Sequence, residues 1–185
     1  YIRKSGYFFF LGNTDPKKNS ERTIVAYAKY LKLSSVKREL LIADLSQEII
    51  DDILKRNDIE YARDYIVAAG YVDNKDLVSI YNAAFAFLYT SLRESFGIPL
   101  LESMACGTPV ITSNTSSMPE VAGVDAALID PTDSNTITDM MLRLENDVDY
   151  YSRIKDYGLN RVNMFSWNHT AESLLALYDE VYNEK

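Results

Sequence analysis

The chain has 185 residues, 47% of them hydrophobic and 25% charged, the balance of about one ordinary globular domain and not of a disordered chain. No apolar run approaches the ~20 residues that cross a bilayer, and one cysteine with one histidine excludes a disulfide framework and a Cys- or His-rich metal centre. The net charge of −8 argues against a nucleic-acid binder, and it is unevenly spread: residues 1–41 carry nine Lys/Arg against three Asp/Glu.

In chain order, Tyr7–Leu11 is an aromatic, apolar run ending at Gly12, the pattern of a buried strand and a turn. Ser20 is the expected N-cap of a helix carrying Ile24, Val25, Ala28 and Leu31. Leu40–Ala43 is a second strand, followed by a helix capped by Ser46 with Ile49, Ile50, Ile53 and Leu54 on one face. Tyr65–Ala69 is a third strand closed by Gly70, and Asp73 or Asn74 caps a short helix through Leu77, Val78 and Tyr81. Phe85–Tyr89 is the fourth strand; the loop after it opens into a helix from Gly97 to Cys106, stopped by Gly107. Pro109–Thr112 and the weaker Ala126–Ile129 complete six strands, and from Thr132 the pattern is helical with breaks expected near Gly158 and Ser166. Short apolar runs alternating with helices predict an α/β fold: a doubly wound parallel sheet closed by C-terminal helices.

In such a sheet ligands bind outside the carboxyl ends of the strands, so the loops there carry the chemistry. Gly12 to Asn19 ends in Lys17 and Lys18, cations suited to a phosphate. Ser91 to Gly97 leads into a helix N-terminus, whose unpaired N–H groups favour an anion or a sugar oxygen. Glu94 sits just before that helix and Glu102 about two turns inside it, where a carboxylate among apolar neighbours must face a polar partner or a cleft and could accept two hydrogen bonds from vicinal hydroxyls. Backbone bonding is the plainer alternative. Ser113 to Glu120 is small and polar, a cleft lining or a surface loop. The basic front end, with Arg3 and Lys4, is a solvated face or a source of cations for a small anion or acidic lipids. Tyr1 is not Met and no signal peptide follows it, so the sequence reads as a fragment of a longer cytoplasmic protein.

Taken together, Glu94-Ser-Phe-Gly-Ile-Pro-Leu-Leu-Glu102-Ser-Met-Ala-Cys-Gly-Thr-Pro-Val-Ile, Asn114 to Gly123, Ile129 to Asp133, Phe10 to Asn19 and Phe165-Ser-Trp167 resemble the C-terminal, donor-binding domain of retaining GT-B glycosyltransferases. The resemblance spans nearly the whole chain, 1–185 as a single domain, and implies a Rossmann-like half of a GT-B fold. It implies that Glu94 contacts the donor sugar near the reaction centre and Glu102 the ribose hydroxyls. Ser95, Phe96, Gly97 and Ile98 would meet the sugar and phosphates through their backbone, and Gly70, Tyr71 and Val72 would lie near the base. Gly12 and Lys18 would stabilise the departing diphosphate, so Glu94 and Lys18 are the expected catalytic pair. Asn13 stands where many relatives have arginine; Lys17 substitutes for it, or Lys18 acts alone. No metal or other cofactor is implied. The implied partners are a nucleotide diphosphate sugar and a saccharide or lipid-linked acceptor, the latter held by an absent N-terminal domain that leaves room for membrane-surface association.

Two rivals remain at this point: a sugar-nucleotide epimerase of the same fold, and a degenerate nucleotide-sugar binding module. His169 is expected to cap or pack, Cys106 to lie in the core, and Tyr150 and Tyr151 to pack against the C-terminal helices. The acidic stretch Asp125 to Asp133 resembles a metal site only superficially.

Overall fold

The computed structural model describes residues 6–183; Tyr1, Arg3 and Lys4 lie outside the described residues. Six parallel strands form one sheet: β1 (Tyr7–Leu11), β2 (Leu40–Ala43), β3 (Ile66–Gly70), β4 (Ala84–Tyr89), β5 (Val110–Ser113) and β6 (Ala127–Ile129). Their order is β3-β2-β1-β4-β5-β6, with Phe9 beside Leu41 on one side and Phe87 on the other. Successive side chains on a strand point to opposite faces, so a strand covered on both faces must be apolar throughout. Phe8, Phe10, Leu40 and Ile42 accordingly join one core layer, with α1 (Ser20–Leu33), α2 (Gln47–Arg56), α6 (Ser134–Asn146) and α7 (Val148–Val162). Tyr7, Phe9, Leu41 and Phe87 join the other, with α3 (Asn74–Ala83), α4 (Ile98–Ala105) and α5 (Met118–Ala122). This is the doubly wound α/β sheet that the sequence predicts.

Three local expectations are corrected. The N-cap of α1 is Asn19, held at φ 60°, while Ser20 is the first helical residue and its hydroxyl donates to the Asn13 carbonyl at 2.8 Å. No break occurs at Gly158, which lies inside α7: a Cβ there would sit 3.1 Å from Met104 Cγ, so the glycine serves the close approach of α7 to α4. The break falls at Asp147, which ends α6 and caps α7 by accepting from the Tyr150 N–H at 2.8 Å. Finally, α6 and α7 close the fold, but α8 (Trp167–Asn183) buries none of its residues. Among the described residues no helix is long and apolar enough to cross a membrane.

The connections of β1 and β4 set the position of the site. The helix after β1 covers one face and the helix after β4 covers the other. Their loops therefore diverge at the carboxyl end of adjacent strands and leave a crevice between them.

Candidate functional site

One wall of this crevice is the loop after β1. Asn13 Oδ1 accepts from the Asp15 N–H at 2.9 Å, and Asp15 Oδ1 accepts from the Lys17 N–H at 3.0 Å, which starts a 3₁₀ turn over Pro16–Lys18. The Asn13 side chain thus shapes the loop. Lys17 folds back onto Asp15 at 3.1 Å, and its backbone and side-chain hydrogen bonds hold the Asp15 carboxyl below the usual carboxylate range. Lys18 instead reaches across the crevice to Glu94, Nζ to Oε1 at 2.7 Å. Gly12 is buried; a Cβ there would lie 2.8 Å from both Leu45 Cδ1 and Phe10 Cε1, so packing alone demands the glycine.

The loop after β4 forms the facing wall, and its backbone is braced from beneath by hydroxyls. Ser113 Oγ donates to the Ser91 carbonyl at 2.6 Å, Ser116 Oγ to the Glu94 carbonyl at 2.8 Å, and Ser117 Oγ to the Phe96 carbonyl at 2.9 Å. The segment from Ser113 is therefore a scaffold under Glu94, which answers the choice between cleft lining and surface loop. Burial pushes the Glu94 carboxyl up, but hydrogen bonds from Lys18, Ser91 and Tyr89 together with the Lys18 charge outweigh it and hold the group below its ordinary value. Glu94 is thus an ionised acceptor at neutral pH. The same neighbourhood raises the Tyr89 hydroxyl well above its ordinary value, chiefly by burial and then by the Glu94 charge. Gly97 adopts φ 113°, a conformation that other residues rarely take, and turns the chain into α4. At the start of α4 Pro99 has no N–H and the Leu100 N–H donates to the Gly97 carbonyl at 3.0 Å, which leaves the Ile98 N–H as the helix's first donor.

Glu102 is exposed, which corrects the expectation of a mostly buried helix: α4 buries only Leu100, Ser103 and Met104. Ile98 and Glu102 share its outward stripe, one turn apart. Glu102 does have a polar partner, the Tyr81 hydroxyl, which donates to Oε2 at 3.3 Å and is itself raised by burial and by that carboxylate. At the end of β3, Gly70 has φ +64°, its carbonyl accepts the Asp44 N–H at 2.8 Å, and a Cβ on it would meet nothing within 4 Å. Tyr71 beside it is 76% exposed, whereas Val72 is buried and can offer a ligand only its backbone. Ser95 and Phe96 are exposed, and Phe96 meets Phe165 edge-on at 5.9 Å.

The structure brings Lys18 and Glu94 into contact and sends Lys17 elsewhere. Cys106 is half-buried, packed against the edge of the second core layer; burial, then the Glu102 carboxylate, raises its thiol. His169 is exposed, its N–H capped by Ser166 Oγ at 3.1 Å. Tyr150 packs against α6, where the Arg143 guanidinium lies over its ring at 3.7 Å, whereas Tyr151 stacks on Phe85 of β4 at 4.7 Å and not on the C-terminal helices. Among the described residues no three acidic, His or Cys side chains converge as metal ligands would. A groove of about 680 Å³ runs from the loop after β1, at Asn13 to Pro16 and Asn19, past Leu92 and out between α1 and α2, where Arg56 is already paired with Glu21 and Asp52. Sequence reasoning missed Tyr81, Tyr89, Asn19 and the hydroxyl brace; four hydroxyl residues among the five from Ser113 to Ser117 were the available signal.

The description "Glycosyl transferases group 1" matches residues 2–161. O-antigen chain mannosyltransferase B of Escherichia coli is 33% identical over 174 residues, covering 94% of this chain and 45% of that protein. The C-terminal domain of the glycosyl transferase group 1 family protein LpcC from Francisella tularensis superposes with a TM-score of 0.74 at 22% identity, covering 87% of each chain. A trehalose-6-phosphate structure from E. coli bound with UDP-2-fluoro glucose superposes with a TM-score of 0.78 at 15% identity, covering 94% of this chain and 44% of that one. The chain spans less than half the length of the mannosyltransferase it matches.

Proposed function

The chain belongs to the glycosyl transferases group 1 family, and on that premise we propose that it is the donor-binding half of a retaining hexosyltransferase. The whole enzyme moves a hexose from a UDP- or GDP-sugar to a saccharide or lipid-linked acceptor. The bond between the sugar's anomeric carbon and the diphosphate oxygen breaks, a bond to the acceptor oxygen forms, and the acceptor's proton leaves with the products. The acceptor is held by a second half, so this chain alone binds nucleotide and transfers sugar poorly. Residues 1–185 act as one donor-binding unit. The mannosyltransferase relative, named for the O-antigen chain, supports a place in cell-envelope polysaccharide synthesis, at the cytoplasmic side, free or peripheral to the inner face of the membrane.

The observation that carries this reading is the Lys18–Glu94 pair across the crevice. Negative charge grows on a diphosphate as it departs, and a fixed cation in a partly dry site lowers that barrier without a metal. Lys18 is such a cation, already held in place by a carboxylate. A bound diphosphate takes over the ammonium and frees Glu94, ionised, to accept from a sugar hydroxyl. The amides of Ser95 to Ile98 meet the phosphates and sugar, Glu102 takes the ribose hydroxyls, and Gly70 to Val72 lie along the base with Tyr71 free to cover it. With Lys17 turned onto Asp15, Lys18 carries the diphosphate alone, with Gly12 and Asn13 setting the loop's path.

Calorimetric titration with UDP, GDP and ADP tests the reading. One of them binds, and Glu102→Ala weakens it by about 1–3 kcal/mol, the cost of losing a charged hydrogen-bond partner. A folded chain, or the enzyme containing it, that binds none of the three contradicts the proposal.

A further inference from the structure

Asn19 is buried, 5% exposed, and sits at φ 60° immediately after Lys18. Its side chain does not cap α1. The amide Nδ2 instead donates to the Thr90 carbonyl at 3.0 Å and to the Pro131 carbonyl at 2.8 Å, the first residue after β4 and a residue of the loop after β6. Its Oδ1 accepts from Arg22 Nη1 at 2.5 Å. Both amide protons and the carbonyl are thus engaged, and each faces a different element. Two neighbouring contacts reinforce the link: the Leu92 N–H donates to the Lys17 carbonyl at 2.7 Å, and the Thr23 and Thr90 hydroxyls meet at 2.5 Å. On both sides of Lys18, then, the loop after β1 is tied to the loop that carries Glu94. The sheet ladder between β1 and β4 ends at Phe10 and Leu88 and cannot set this spacing.

We propose that Asn19 is a positioning residue: its amide fixes the depth of the Lys18 ammonium relative to Glu94, and so the place where positive charge waits for a departing diphosphate. The inference rests on the function proposed above. A left-handed backbone is open to glycine, and Asn and Asp also tolerate it, so the side chain can be removed without forcing the turn. Asn19→Gly deletes the clamp and keeps the φ. Asn19→Asp keeps the size and the Arg22 contact but turns two donors toward carbonyls into acceptors.

The test uses the enzyme with both halves, measuring kcat and donor KM for sugar transfer and the titration of the Glu94 carboxyl by carbon NMR. Asn19→Gly and Asn19→Asp are expected to lower kcat at least tenfold with donor KM changed less than threefold. They also move the Glu94 titration up toward the ordinary carboxylate value, as its lysine partner loosens. In a Lys18→Ala background the Asn19 substitutions add little further loss, because one interaction is being removed twice. Arg22→Met, which frees the amide from its anchor, gives the same pattern more weakly and covers the case in which Asn19 variants do not fold. Unchanged kcat and Glu94 titration in a folded variant, or losses fully additive with Lys18→Ala, overturn the positioning role while leaving the functional reading intact. A wild-type enzyme that neither binds a nucleoside diphosphate nor transfers sugar overturns both.

Discussion

Among the described residues, two partly buried ion pairs sit at opposite ends of the sheet, and their surroundings differ. At the amino end, Glu145 has a side chain only 2% exposed and takes hydrogen bonds from the Tyr30 and Ser34 hydroxyls beside the Arg38 guanidinium at 3.4 Å. Arg38 also lies over the Phe85 ring at 3.8 Å and donates to the Gly6 carbonyl at 2.9 Å. The Glu145 carboxylate is sealed in while Arg38 keeps 24% exposure, and burial together with the Glu145 contact pushes the Tyr30 hydroxyl up to about 12. At the carboxyl end, Lys18 and Glu94 come from two loops, keep 18% and 14% exposure, and border open space. A carboxylate sealed under two hydroxyls locks the fold, whereas a pair joining two loops at the switch point has somewhere else to go when a ligand arrives. That difference, more than the presence of charge, separates a structural site from a functional one.

The largest effect expected is on activity, and it is confined to the carboxyl end. Lys18→Ala lowers sugar transfer by the intact enzyme by about 10²–10³-fold, the cost of removing one group that stabilises developing charge. Its effect on stability is the lesser one, since Glu94 keeps its hydrogen bonds from Ser91 and Tyr89 when the lysine is gone. Steady-state kinetics beside thermal melts read both. The mirror image is Glu145→Ala, which leaves the Tyr30 and Ser34 hydroxyls without their charged acceptor and costs about 1–3 kcal/mol of stability. Denaturant unfolding reads that loss, and nucleotide affinity per folded molecule stays the same. If Glu145→Ala weakened nucleotide binding while leaving stability intact, the assignment of the two ends would be reversed.

An effect of similar size sharpens the packing side of the comparison. Gly12→Ala forces a methyl against Leu45 and Phe10 and costs about 1–3 kcal/mol, the usual range for overpacking. Chemical denaturation of the folded variant checks it. The smallest effect is pH-dependent. The folded Glu94 carboxyl titrates below its unfolded value, so its pairing adds stability above the ordinary carboxylate range, and that contribution is lost as pH falls through the lowered folded value. Lys18→Met removes a principal cause of the shift, so its melting temperature should fall less steeply on acidification than that of the wild type. Identical slopes would show that the pair contributes nothing to the pH dependence.

The sheet was legible because strands covered on both faces are apolar along their whole length, as Tyr7–Leu11 and Leu40–Ala43 are. Helix ends were less legible. Asn19 displaced Ser20 as the N-cap because long-range bonds to Thr90 and Pro131, invisible to local pattern, fix its conformation. Gly158 read as a break because its partner, Met104, is far away in sequence. In the site, the motif pointed to Glu94, Glu102 and Lys18, but which of two adjacent lysines crosses the crevice was decided by an Asp15 turn that captures Lys17. The hydroxyl brace escaped notice because serines and threonines between elements look like any polar loop until the carbonyls they serve are known.

The most direct test of the account is a map of backbone amide shifts as UDP or GDP is titrated into the chain. The account predicts that perturbations gather at Lys18, Gly70 to Val72, Ser95 to Ile98 and Glu102, with Arg38 and Glu145 silent. Perturbations centred instead on Val25, Ile49 and Ile53, in the groove between α1 and α2, would place the ligand outside the switch-point crevice and contradict the account.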